Sequence, residues 1–268
     1  MSLQMALRTS VAAVFVGGCM TLFPAFAPVA TADELQSAGV AEEARAAMSR
    51  MSRTLQATQF SFNARTLRTY VGPNGQLLHV AHAIKTVFRR PDRLRVDVTG
   101  DDGSTQMLFD GKAIVLYGVE EKKYSRLPVS GNNLDNALEV VEERTGTDFP
   151  LADLLSNDPQ RSLLSGVRSG GEVDTAVIDG TPCRHFFFSQ GADDLDFELW
   201  LEDNDQSLPR RLVVTYRSLP GRPNFLAELS NWSFSIQAPD SDFEFKPPVG
   251  VAESDAQPKS SGSSEPPK

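Results

Sequence analysis

Two hydrophobic periods divide the chain. Val40, Ala44, Met48, Met51 and Leu55 recur at spacings of three and four, with Glu42, Glu43, Arg45, Arg50 and Arg53 off that stripe. This period predicts one amphipathic helix over Val40–Leu55 whose apolar face packs on a sheet. From Phe60 the period falls to two, the signature of half-buried strands. Residues 60–71 and 76–88 flank the turn signal Pro73-Asn74-Gly75 and predict a hairpin. Leu94, Val96 and Val98 alternate with Arg93, Arg95 and Asp97. Asp101-Asp102-Gly103, Asp110-Gly111 and Glu120-Glu121-Lys122 then turn the chain into runs at Thr105–Phe109, Ala113–Tyr117 and Tyr124–Leu127. The pattern is an antiparallel meander with one apolar face.

The middle of the chain returns to helical spacing. Leu134, Leu138 and Val141 fall on one side of Asn133–Arg144, and Leu151, Leu154 and Leu155 on one side of Pro150–Ser156, where Pro150 suits a helix start. Leu163 and Leu164 add a further apolar turn. Short helices interrupting a sheet protein are expected to cover something. Strands resume at Val173–Ile178, Arg184–Ser189, Leu195–Glu202, Arg211–Arg217 and Phe225–Ile236. Residues 249–268, rich in Ser, Pro, Glu and Lys, are expected to be disordered. No internal repeat or linker divides residues 33–248, which are expected to form one domain.

The first 32 residues carry an address. Arg8 precedes a largely apolar run from Val11 to Ala30, and Ala30-Thr31-Ala32 gives the small-x-small pattern of a signal-peptidase site. Residues 1–32 are therefore expected to be a cleaved signal peptide. An uncleaved anchor is the alternative, since the run approaches membrane-spanning length, but Pro24 and Pro28 favour cleavage. Val16-Gly17-Gly18-Cys19 also resembles a lipobox, which would make the protein a lipoprotein through Cys19.

Composition narrows the classes. The chain has 268 residues, with 35 acidic against 26 basic side chains and a net charge of −9. That balance argues against nucleic acid as a partner. Hydrophobic residues at 40% suit a folded soluble domain. Cleavage after Ala32 would remove Cys19 and leave Cys183 alone, so the core, not a disulfide, must hold the domain.

The order of several motifs carries a resemblance. Phe88-Arg89-Arg90-Pro91-Asp92-Arg93-Leu94-Arg95-Val96 resembles a strand of the LolA-like superfamily. Phe109-Asp110-Gly111-Lys112 with Leu116-Tyr117 is similar to its next hairpin, and Asp148–Leu155 to its mid-chain helical insertion. Gly180–His185, Leu199–Glu202, Leu208–Leu212 and Phe243–Pro248 follow in order. Together they resemble an uncharacterised family of predicted periplasmic proteins, a domain of unknown function within that superfamily, over about residues 40 to 250.

The resemblance implies a mainly β fold: a half-open antiparallel β-barrel covered by the N-terminal helix and short mid-chain helices. It implies that the concave face binds a lipid or an acylated protein under a helical lid; a non-enzymatic protein without a cofactor is expected. Apolar parity nominates Phe88, Leu94, Val96, Val98, Phe109, Val115, Tyr117, Phe186, Phe188, Phe197, Leu199, Leu201, Leu212, Val214 and Tyr216 as cavity lining. Leu134, Leu138, Val141, Leu151, Leu154 and Leu155 would form the lid. The same positions also suit a filled core. The alternative function is then a periplasmic protein-interaction or regulatory module with an envelope protein as partner and no lipid ligand. A monomer is expected in either case.

Catalytic and metal signatures are weak. The sequence contains no G-x-S-x-G, Walker loop or H-E-x-x-H motif. His79 and His82 point to opposite faces of one strand. Cys183 and His185 share a face, but no third group to orient them is apparent. Gly100–Gly103 and Asp193-Asp194-Leu195-Asp196 are acidic turns without the EF-hand pattern, so no metal is expected.

Overall fold

The computed structural model describes residues 39–131, 133–145, 149–191 and 195–254. The expected signal peptide with Cys19 lies outside the described residues, as do Asp148, Asp193, Asp194 and residues 255–268 of the expected tail.

The apolar stripe forms helix α1 (Glu42–Leu55), with Glu42 and Glu43 in its first turn and Arg53 in its last, where each charge suits the helix dipole. The alternating runs form β1 (Gln59–Val71), β2 (Leu77–Arg89), β3 (Arg93–Gly100), β4 (Gly103–Phe109), β5 (Ala113–Gly118) and β6 (Lys123–Pro128). Helices α2 (Leu134–Thr145), α3 (Ala152–Leu155) and α4 (Pro159–Leu163) follow. Strands β7 (Val167–Ile178), β8 (Thr181–Gln190), β9 (Leu195–Glu202), β10 (Pro209–Tyr216), β11 (Asn224–Ser233) and β12 (Ala252–Glu253) complete the series.

The strands make one twelve-stranded sheet in the order β12-β6-β5-β4-β3-β2-β1-β11-β10-β9-β8-β7. Two meanders, β1–β6 and β7–β11, join where β11 pairs antiparallel with β1. The ends of the order, β12 and β7, do not pair with each other, so the sheet is an open half-barrel. Among the described residues, no helix is long and apolar enough to cross a membrane.

The core fills the inner face. Phe60 and Phe88 meet edge to face at 5.2 Å, and Phe188 stacks on Phe197 at 4.7 Å. Met48, Met51 and Leu55 of α1 are completely buried in the same cluster, with Leu154 and Leu155 of α3. Each large apolar side chain so buried contributes about 1.5–3 kcal/mol. Val40 does not continue the helix; it bridges to Gly170 of β7, and the Ala41 N–H donates to the Gly170 carbonyl at 2.9 Å. Only glycine permits this packing, because a Cβ at Gly170 would stand 2.4 Å from the Phe188 ring.

The outer face of β3–β6 is also covered. The chain after β11 runs back across it as a strap: Ala238 and Phe243 are buried, and the Phe245 ring lies 5.3 Å from Tyr117 and 5.0 Å from Tyr124. Part of the expected tail is ordered. Ala252 and Ser254 donate backbone hydrogen bonds to Lys122 and Tyr124, adding β12 parallel to β6. The strand signal there was hidden by a polar, Pro-rich context.

Candidate functional site

Direct pairing shows which predicted residues share a face, since side chains opposite each other in a ladder point the same way. Phe88, Leu94 and Phe109 stand in one row across β2–β4, followed by Val96 and then Val98. Phe186, Leu199 and Leu212 form a row across β8–β10, flanked by Leu201 and by the row Phe188, Phe197 and Val214. Tyr216 follows opposite Leu195. These thirteen residues belong to, or pack against, the inner core cluster.

Val115 and Tyr117 do not join them. Phe109 pairs with Ile114, so Ile114 and Leu116 face inward, whereas Val115 and Tyr117 sit opposite Leu108 and Gln106 on the outer face. The turn sets this parity. Asp110 Oδ1 accepts the N–H groups of Lys112 and Ala113 at 2.9 and 3.0 Å, and Gly111 takes a positive φ of 86° that suits glycine.

Most of the hollow is packed, but space remains at its β8–β10 end. A cavity of about 340 Å³ is floored by Leu195, Phe197, Leu212, Val214 and Tyr216 and roofed by Glu142, Pro150, Asp153 and Leu163, with Gln190 at its side. Its volume lies at the lower end of the range typical of small-molecule sites. Four of the predicted lining residues meet there: Phe197, Leu212, Val214 and Tyr216. The predicted lid leucines and Val141 pack inward, while their neighbours Glu142, Pro150 and Asp153 contribute the walls. A search for apolar parity passes over such polar roof positions.

Polar groups fix the roof. The Asp153 carboxylate accepts from the Ser162 hydroxyl, joining α3 to α4. Asp158 caps α4 by accepting from the Arg161 N–H at 3.0 Å, and Pro159 follows it. The Gln190 amide donates to the Ser165 carbonyl at 3.0 Å. At the far side, Arg90 lies 4.9 Å over the Phe88 ring and donates to the carbonyls of Leu55 and Ser156, both at 2.9 Å, and to Asn157 Oδ1 at 3.0 Å. Asn157 donates in turn to Asp135 of α2 at 2.9 Å. One guanidinium thus ties the end of α1 to the helical insertion.

Arg184 lies 5.1 Å over the Phe186 ring and is paired with Glu172. Its hydrogen bonds hold the Glu172 carboxyl below the usual glutamate range. A lowered folded-state pKa stabilises the fold above the unfolded value near 4.3, and this is lost as pH falls through the folded value. Glu172→Gln is expected to be less stable than the parent at pH 7 by less than about 1 kcal/mol, because the pair is partly exposed. Chemical denaturation at several pH values should show this difference shrinking toward zero below about pH 4. A difference that stays constant would assign the effect to packing.

The remaining chemical candidates are held elsewhere. Cys183 is buried on the outer face, burial pushes its thiol pKa up, and Sγ donates to the Thr181 carbonyl at 3.4 Å. His185 Nε2 is 2.7 Å from Glu198, and its ring stacks on Trp200 at 3.9 Å. His82 Nε2 meets Asp102 at 2.6 Å. Among the described residues, no group of three or more His, Cys, Asp or Glu is placed to hold a metal ion.

No curated protein matches the chain. Solved structures similar to it include lipoprotein LppX of Mycobacterium tuberculosis, at 15% identity, covering 74% of this chain and 99% of that one, with a TM-score of 0.43. Others are a LolA superfamily protein of Nitrosomonas europaea (12% identity, 74% and 97% coverage, TM-score 0.38) and the MucA/MucB complex of Pseudomonas aeruginosa (15%, 76% and 61%, 0.42). The model of a family described as predicted periplasmic protein (DUF2092) matches residues 44–254. With nearly the whole described domain inside that match, the chain belongs to this family of periplasmic proteins.

Proposed function

We propose that the protein is a periplasmic binding protein that holds a lipid, or the acyl chain of a lipoprotein, in the cavity between β8–β10 and helices α2–α4. The observation that carries this reading is the apolar floor left unfilled under a roof of short helices. A hydrocarbon chain entering such a hollow gains about 0.8 kcal/mol per buried methylene. Binding of this kind needs no nucleophile, metal or cofactor.

Val214 is the position at which to test it. It is half-buried and floors the cavity without belonging to the fully packed core. Val214→Trp is expected to fill the space and weaken uptake of an uncharged pyrene-labelled alkyl chain at least about tenfold, equivalent to about 1.4 kcal/mol. Circular dichroism should show the fold retained. Native mass spectrometry of protein taken from its own periplasm is expected to find a co-purified lipid on the monomer. A clean apo mass together with no probe uptake would overturn the carrier reading in favour of an interaction module with a filled core.

A further inference from the structure

The charged side chains that line the cavity have one sign. Glu142 and Asp153 bring carboxylates to its wall, Gln190 brings an amide, and among the described residues no Lys, Arg or His lines it. Arg217, next to Tyr216 in the chain, is turned to the Gln190 carbonyl at 2.6 Å and to Asp196 at 3.3 Å. The apolar floor and the acidic roof therefore present two chemistries a few side chains apart. A hydrocarbon tail suits the first. At the second, an anionic head group would lose hydration and meet repulsion, whereas an ammonium group would meet attraction and hydrogen-bond acceptors. Repulsion of the wrong head is a route to specificity as effective as attraction of the right one.

We infer that the cavity selects a single-chain amphiphile with a cationic, ammonium-type head group and rejects one with a carboxylate head. This rests on the lipid-binding reading and names the class of lipid. Glu142 is the specificity-determining residue, because Asp153 is already engaged with Ser162 and holds the roof together. The cavity volume suits one chain rather than several.

The test compares dodecylammonium with dodecanoate, equal in chain length and opposite in charge, by titration calorimetry below their micelle concentrations at pH 7 and physiological salt. The ammonium is expected to bind at least about tenfold more tightly, and Glu142→Gln is expected to cut that preference at least about threefold. Val214→Trp should weaken binding of both probes at least about tenfold. Equal affinities, or tighter binding of dodecanoate, would overturn the inference and leave the lipid reading standing. So would a preference unchanged in Glu142→Gln, or ammonium binding undiminished in Val214→Trp, which is general attraction to an acidic chain. If neither probe nor the uncharged chain binds, the lipid reading falls, and the inference falls with it.

Discussion

Arg90→Ala is expected to destabilise the protein by about 3 kcal/mol, out of proportion to a side chain at the domain margin. The guanidinium stacks on Phe88 and satisfies the carbonyls of Leu55 and Ser156, the first at the end of α1 and the second just after α3. Alanine would leave both carbonyls without this donor and remove the link through Asn157 to Asp135. Charge-assisted bonds of this kind are each worth about 1.5–3 kcal/mol, and they do not add fully because they share one group. For a domain of this size, the loss corresponds to a melting temperature lower by about 6–12 °C. Arg90→Lys should recover little, because an ammonium cannot span a fork of three acceptors. Thermal and urea denaturation measure the effect. A shift below about 2 °C would mean that the apolar contacts of α1 and α3 hold the roof alone.

The same residue shows what the sequence makes legible. The run around Arg90 and Pro91 is visible as a motif, but its role as a tie depends on bringing Leu55 and Ser156 together, and no local pattern encodes that. The strands were legible because one face is apolar and the other polar, as in β9, where Phe197, Leu199 and Leu201 alternate with Glu198, Trp200 and Glu202. The α1 stripe was legible for the corresponding helical reason. Parity failed at β5, which reads Ala-Ile-Val-Leu-Tyr-Gly. Both of its faces are buried, the inner by the core and the outer by the strap, so alternation carries no sign of which face is which. The expectation of Val115 and Tyr117 as inward residues was thus the cost of a cover supplied from more than a hundred residues away. The cavity was half-legible. Its floor lies on apolar parity, while Glu142, Asp153 and Gln190 are polar and took no part in the pattern.

Phe243→Ala should test that cover, and its expected effect is as large. Phe243 is 1% exposed, the Arg89 guanidinium lies 5.3 Å from its ring centre, and Arg89 also donates to the Ala238 carbonyl at 2.6 Å. Emptying such a site costs about 3–5 kcal/mol when the surroundings do not collapse, and the lower figure applies here because the strap can relax. The loss should not stay local. Val115 and Tyr117 are 3% and 8% exposed, and loosening of the strap would open them to water. Hydrogen exchange is expected to quicken at Ala252 and Ser254, whose N–H groups bond to β6. Uptake of an alkyl probe should persist in the folded variant, because the cavity floor faces the other way. This separates two uses of one sheet: the inner face holds the cavity, and the outer face is stabilised by the strap that follows β11. Unchanged stability would show that the strap adds nothing to the sheet, and loss of probe binding with the fold intact would place the outer face within the binding site.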